Sequence, residues 1–230
     1  MNPVRGVHRL AVVTAAATFL LLFVGGLVTS YKLPLAVSAH ACLGQTFFCL
    51  TVALALLTGA QWQAPAPAAS SALPAVATTT TALIFGQILL GALVRHTGAG
   101  LAIPDFPLAF GRVVPPLVSP YITVHFAHRI GALVVAASVM ATAAVAGRCH
   151  RGDGRLGRPA LLALALLVLQ ITLGGVTVWS RRAVLATTTH PVVGAALLAT
   201  SLTLTLRASR LIGWRGLARA PAGLGRHALL

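Results

Sequence analysis

Acidic side chains are almost missing. Of 230 residues, two are Asp (Asp105 and Asp153) and none is Glu. Charged residues of both signs make up 8% of the chain, against roughly 25% in an average soluble domain. So few charges cannot clothe a water-soluble surface, which excludes the soluble classes. Chemistry needing a pair of carboxylates inside a membrane is excluded too. Cysteine is scarce, with three residues, and they make no disulfide framework. Cys42 and Cys49 lie seven residues apart, a rise of about 10 Å on a helix, too far to bond to each other. What the chain does have is 57% hydrophobic residues and a mean hydropathy of +0.91, in runs that suit a lipid environment. The net charge of +15 could suggest nucleic acid. In a membrane protein, basic loops set topology instead, and no nucleic-acid partner is expected.

Six apolar segments are expected to cross the membrane: residues 10–30, 34–59, 75–95, 120–147, 159–180 and 187–207. Each spans a hydrocarbon core of about 30 Å at 1.5 Å per residue as a helix, and strands would need an alternating pattern that is absent. The fold class is therefore all-α, a polytopic membrane bundle of about six helices. The first segment is too long for a signal peptide, and no small-residue cleavage site follows it.

Lys and Arg placement sets the orientation. Arg5 and Arg9, the loop residues Arg148, Arg151, Arg155 and Arg158, and the tail residues Arg207, Arg210, Arg215, Arg219 and Arg226 share one side, eleven in all. Lys32, Arg95, Arg112, Arg181 and Arg182 make five on the other. This places both termini in the cytoplasm, with Tyr31, Tyr121 and Trp179 near the outer interface and Trp62 near the inner one. Residues 60–74 read as an uncharged Pro/Ala/Ser linker. Residues 96–119 hold so many Gly and Pro that a shaped loop is expected rather than a helix.

Two strings echo each other: Gln87-Ile-Leu-Leu-Gly91-Ala and Gln170-Ile-Thr-Leu-Gly174-Gly. A related Phe-Val-Gly25-Gly26 lies in the first segment. Gly25 precedes His40 by fifteen residues and Gly174 precedes His190 by sixteen. Either helix pairs are duplicated, or the glycines serve close helix packing.

Eight histidines are the main chemical resource. His8, His150 and His227 lie in basic flanks and are expected to be solvated. His40, His125, His128 and His190 lie on three spans at a similar depth toward the outer face. Polar groups inside spans usually face a bundle interior. Zinc would want Cys or clustered ligands, and iron or manganese outside haem would want carboxylates. Haem suits the inventory better, needing an imidazole from each of two helices, an apolar slot and cations for its propionates. His128 and His190 supply the axial pair, with Arg129 and Arg95 as propionate partners and Arg181 and Arg182 at the same edge. Gly91, Gly131, Gly174, Gly175 and Gly194 give a flat ring access to the backbone. Asp105 is assigned a structural role in its loop, and His96 a loop or propionate contact.

Residues 87–131, with the string GALVRHTGAGLA, the PDFPL loop and the His128-Arg129 pair, resemble the heme A synthase family of cytochrome oxidase assembly. VHRLA at 7–11, FVGGLVTS at 23–30, SAHACLGQTFFCLTVALAL at 38–56 and LGGVTVWS at 173–180 are similar to it as well. The resemblance implies a bundle derived from a duplicated four-helix unit. It implies haem b on His128 and His190, and His40 as the second histidine of the first half. It also implies oxidation of a haem O methyl group to the formyl of haem A. Partners implied are an electron donor, haem O synthase or other cytochrome oxidase assembly proteins, membrane lipids, and a second copy of the chain. The setting implied is the inner, cytoplasmic membrane.

The departures are specific. GGLVTS runs directly into YKLPLAVSAH, so two spans' worth of the family pattern is missing, including its Glu-x-x-His-Arg segment. Residues 1–60 then read as a remnant of the first half, 61–74 as the linker, 75–207 as the second, haem-binding half and 208–230 as a basic tail. With no Glu, the catalytic residue has no counterpart, and a non-catalytic haem-binding assembly protein or inactive remnant is the competing reading. Two others fit less well. A transporter with inverted repeats would place its histidines on opposite sides. A quinol-type cytochrome b would need two His on one helix at different depths, whereas His125 and His128 are three residues apart.

Overall fold

A computed structural model describes residues 8–9, 11–16, 18–19, 34–63 and 72–217. The expected first span at 10–30, most of the linker, the end of the basic tail and His227 lie wholly or largely outside these residues. Six helices are named: α1 (Pro34–Leu57), the single turn α2 (Ala60–Gln63), α3 (Ala72–His96), α4 (Pro120–Cys149), α5 (Gly154–Trp179) and α6 (Val184–Leu217). The described residues form no extended strand. Four helices are long and apolar enough to cross a membrane: α3, α4, α5 and residues Val184–Arg210 of α6. In α1 the apolar stretch is the shorter Ala41–Leu57.

The helix ends follow local chemistry. Ser119 caps α4 by accepting from the Tyr121 amide, and Pro120 takes a first-turn position where its missing N–H costs nothing. Asp153 caps α5 by accepting from Arg155 N at 2.9 Å, and it also meets the Arg155 guanidinium at 3.2 Å. Burial raises the Asp153 carboxyl, but Arg155 outweighs it and the net shift is downward. α3 starts at Ala72, inside the expected linker, and α6 runs past the expected limit of 207 to Leu217. Pro74 sits in the first turn of α3, where proline is tolerated.

α3 packs on α4, α4 on α5, α5 on α6 and α6 back on α3, closing a four-helix ring, with α1 against α3 and α6. Two apolar layers fill the ring. One, toward the arginine-rich end, contains Leu73, Ala77, Ala146, Leu156, Leu204 and Ala208. The other, nearer the centre, contains Ile84, Val135, Val139, Leu167, Leu197 and Leu198. Hydroxyls cross-link the helices between them. Thr80 Oγ1 lies 2.8 Å from Thr142 Oγ1, and Thr81 Oγ1 lies 2.8 Å from both Ser201 Oγ and Thr205 Oγ1. The end of α3 and the start of α4 are joined by residues 97–119, which lie at the same end of the ring as the short α5–α6 turn.

One histidine expected to be solvated is buried and another is half-buried. His150, at the C-terminal end of α4, is 8% exposed, and its Nε2 is buried without a partner among the described residues. The chain turns sharply there through Gly152 (φ 87°) into α5, which folds His150 inward. His8 lies 3.4 Å from the Thr58 hydroxyl and against Gly59, so a neighbouring helix end partly covers it.

Candidate functional site: two imidazoles held by a repeated Gln and Gly

The two echoing strings sit on α3 and α5, and each grips the imidazole of the next helix. Gln87 Nε2 donates to the backbone carbonyl of His128 at 2.7 Å and lies 3.0 Å from His128 Nδ1. Four residues on, one helical turn, a Cβ on Gly91 would come within 2.9 Å of His128 Cε1. On α5, Gln170 Nε2 lies 3.3 Å from His190 Nε2. One turn on, a Cβ on Gly174 would lie 3.4 Å from His190 Cε1. The glutamines fit for a reciprocal reason. A Cβ on Gly131 would run into Gln87 Oε1, and one on Gly194 would approach Gln170 Nε2 at 3.2 Å. The i, i+4 spacing of Gln and Gly places both on one helix face.

The two halves meet. The position of a Cβ on Gly194 is 3.9 Å from Ile88 Cγ1 of α3. Arg95 Nη1 of α3 donates to Thr187 O of α6 at 3.1 Å. Among the described residues, His190 Nδ1 is buried without a hydrogen-bond partner, as is Gln170 Oε1 of the neighbouring side chain. Facing helices that each offer an imidazole, and glycines that bring backbone up to each ring, fit a planar group held between two imidazoles. No cluster of three or more His, Cys, Asp or Glu that could hold a metal ion occurs among the described residues.

The loop closes this end of the ring. Arg129, next to His128, aims its guanidinium at loop carbonyls: Nη1 donates to Leu108 O at 2.7 Å, and Nη2 to Asp105 O at 2.7 Å and Ile103 O at 3.2 Å. It also lies 5.7 Å from the centroid of Phe106. His125 is buried under the same loop, 3.3 Å from Ile103 N and 3.4 Å from Arg129 Nε. Phe106 rests where a Cβ on Gly175 would go, at 3.0 Å, and stacks edge-on with Trp179.

Asp105 binds Phe110 N at 2.7 Å and Gly111 N at 2.8 Å. The two central residues of that turn, Phe110 (φ 55°) and Gly111 (φ 70°), are left-handed, as in the tight two-residue hairpin turn that closes with Ala109 and Arg112. The Gly111 amide, against the opposing pull of burial, and then the Phe110 amide hold the Asp105 carboxyl below its ordinary value of 3.8, with help from the charge of Arg129.

The structure thus places His128, His190, Arg129 and Arg95 at one end of the ring. Arg129 has its donors turned to the loop. His40 lies on α1, and its side chain is outside the described residues. His96 is the last residue of α3. Arg181 and Arg182 form the left-handed turn between α5 and α6. The role of Gln87 and Gln170 emerges only from the structure. Their signal was there: an amide one helical turn before a glycine, twice, each followed by a span carrying a histidine.

A sequence profile of the family described as cytochrome oxidase assembly protein matches residues 5–202. The chain is 36% identical over 132 residues to a heme A synthase of Symbiobacterium thermophilum, covering 55% of this chain and 42% of that protein. It is 33% identical over 202 residues to a heme A synthase of Methylobacterium radiotolerans, covering 78% of this chain and 53% of that protein. A heme A synthase of Geobacillus kaustophilus is 37% identical over 95 residues, 41% of this chain and 29% of that protein. The chain therefore spans about half or less of the length of the curated relatives it matches. The match over residues 5–202 and the four apolar helices make this a multi-pass membrane protein that belongs to the heme A synthase family of cytochrome oxidase assembly.

Proposed function

We propose that the chain binds haem b through His128 and His190 and serves haem A biosynthesis for cytochrome oxidase assembly. The observation that carries this reading is the pair of imidazoles on facing helices, each pressed on a glycine and each met by a glutamine amide. Haem b bound there would supply one-electron redox chemistry. The protein's part is positional. Gln87 and Gln170 orient the rings, Gly91 and Gly174 set how deep they lie, and Phe106 with Trp179 covers the loop end. Arg95 and Arg129 put cationic charge at the edge where propionates would lie.

In this reading haem O is the substrate and its methyl group is oxidised to a formyl, the electrons removed passing to an external oxidant. Residues 1–60, with His40, are the remnant of a substrate half. A second copy of the chain, haem O synthase or another assembly protein would complete it. Both termini are cytoplasmic and the membrane is the inner one. The absence of any Glu supports a second reading, a haem-binding assembly protein or inactive remnant without turnover.

A reduced-minus-oxidised absorbance spectrum of the purified protein tests the site, with solvent extraction to identify the haem. His128→Ala and His190→Ala should each abolish the low-spin signal, and His150→Ala should leave it. Unchanged spectra in both ligand variants would overturn the assignment. Haem A in the extract would support catalysis, and haem b alone the second reading.

A further inference from the structure

Gln170 and His190 carry two of the buried polar atoms that find no partner among the described residues: Gln170 Oε1 and His190 Nδ1. They belong to neighbouring side chains already in contact at 3.3 Å, but through the other pair of atoms, Gln170 Nε2 and His190 Nε2. An amide N–H can only donate, so His190 Nε2 is the acceptor there. A neutral imidazole carries one proton, and that proton is then on Nδ1. Nδ1–H makes no hydrogen bond of good geometry among the described residues, although the Gln170 backbone carbonyl lies beside the ring, and Oε1 is an acceptor without a donor there. Each satisfies the other if the amide and the ring turn so that they face.

That exchange would release His190 Nε2 with its lone pair exposed and the ring proton where it already was. A histidine that ligates a metal through one nitrogen characteristically donates from the other to a carbonyl or carboxylate oxygen. The Gln87–His128 pair is arranged differently. Its amide nitrogen faces Nδ1 and is also tied to the His128 carbonyl at 2.7 Å. The proton of His128 is therefore on Nε2, and the two histidines sit in opposite tautomers.

We propose that Gln170 is a positioning residue that keeps His190 in its ligating tautomer. Its amide N–H covers Nε2 in the haem-free protein, and its Oε1 accepts the Nδ1 proton when haem iron takes that nitrogen. The inference rests on the haem reading above and adds an order to it: His190 is poised to ligate, whereas His128 must first move a proton from Nε2 to Nδ1.

Two measurements on the full chain in detergent test this. The first is ring-nitrogen NMR of haem-free protein carrying ¹⁵N-histidine, with His190→Ala for assignment. It should show His190 protonated at Nδ1 and His128 at Nε2, and Gln170→Leu should shift the His190 signals only. The second is the midpoint potential of haem-loaded protein. An acceptor on Nδ1–H makes the imidazole richer in electrons and favours ferric iron. The potential should therefore fall in Gln170→Glu and rise in Gln170→Leu. Gln170→Glu is close to isosteric and covers the case in which the leucine variant fails to fold. Wild-type protein that takes up no low-spin haem would overturn the haem reading. Haem uptake with His190 signals and potentials unchanged across the Gln170 variants would overturn the role of Gln170 and leave that reading standing.

Discussion

The Cβ that Gly91 lacks would stand 2.9 Å from Cε1 of His128, whereas its counterpart at Gly174 would stand 3.4 Å from Cε1 of His190. The first distance is shorter than carbon atoms can share, and the second is close to ordinary contact. The two imidazoles are thus held by the same device at different tightness. His128, also gripped by Gln87 at its carbonyl, is the more firmly fixed of the two.

Alanine at the two glycines should therefore act with opposite sign. Gly91→Ala forces His128 out of its slot and should cost about 1–3 kcal/mol, the usual range for overpacking. Gly174→Ala has almost enough room and gains the helix preference of Ala over Gly, up to about 1 kcal/mol, so it should be neutral or mildly stabilising. Thermal unfolding of the two variants in detergent checks this. A Gly91→Ala protein as stable as wild type would contradict the tight slot.

Trp179 Nε1 donates to the Phe106 carbonyl at 3.1 Å, fastening the loop to α5. Trp179→Phe keeps an aromatic ring against Phe106 but loses the donor, at a cost of about 1 kcal/mol. The loop should then open more often, seen as roughly fivefold faster amide exchange at residues 102–112. Exchange at residues 135–146 inside α4 should not change. Uniform acceleration throughout the chain would mean that Trp179 supports the whole bundle and not this loop.

How legible was this arrangement beforehand? The apolar runs placed α1, α3, α4 and α5 to within a few residues, because lipid forces the backbone to satisfy itself and helices do so locally, whereas α6 runs well past its expected end to Leu217 and the run at 10–30 lies largely outside the described residues. His128, His190 and the shaped loop also stood out, since imidazoles inside spans and dense Gly and Pro are rare enough to notice. Gln87 and Gln170 were quoted without a role. An amide in a span reads as a polar intrusion until the glycine one turn later and the histidine on the next helix are seen against it. His150 was misread because a basic flank suggests solvent, and nothing in its local sequence reports that the turn at Gly152 folds it inward. The direction of Arg129 was equally hidden, since its loop carbonyls lie 21 to 26 residues away.

Asp105 makes the loop sensitive to acid. Its carboxylate holds the Phe110 and Gly111 amides, and its folded pKa lies below the ordinary 3.8. A depressed carboxyl stabilises the loop fully above its unfolded pKa, and that support fades as pH falls through the folded value. Fluorescence of Trp179, which touches the loop through Phe106, should therefore hold steady from about pH 6 to about pH 4 and change below that. Asp105→Asn should abolish the change. A transition near pH 6 would implicate a histidine instead.

The hydroxyl links lower in the bundle set how firmly α3 holds α6. Thr81 Oγ1 lies 2.8 Å from both Ser201 Oγ and Thr205 Oγ1, and Ser201 and Thr205 are buried. Thr81→Val keeps the shape, removes the bridging oxygen and leaves two buried hydroxyls to find other partners. Interhelical hydrogen bonds in membranes average about 0.6 kcal/mol, so the loss of two should lower stability by about 1 kcal/mol. Among the described residues the Thr200 hydroxyl bonds to Ala196 O of its own helix and to no other helix, and Thr200→Val should change little, since the backbone carbonyl keeps its helical partner. Unfolding by sodium dodecyl sulfate, followed by circular dichroism, compares the two. If both variants unfold at the wild-type midpoint, the α3–α6 contact is held by the packing of Ile84, Leu197 and Leu198 and not by its hydroxyls.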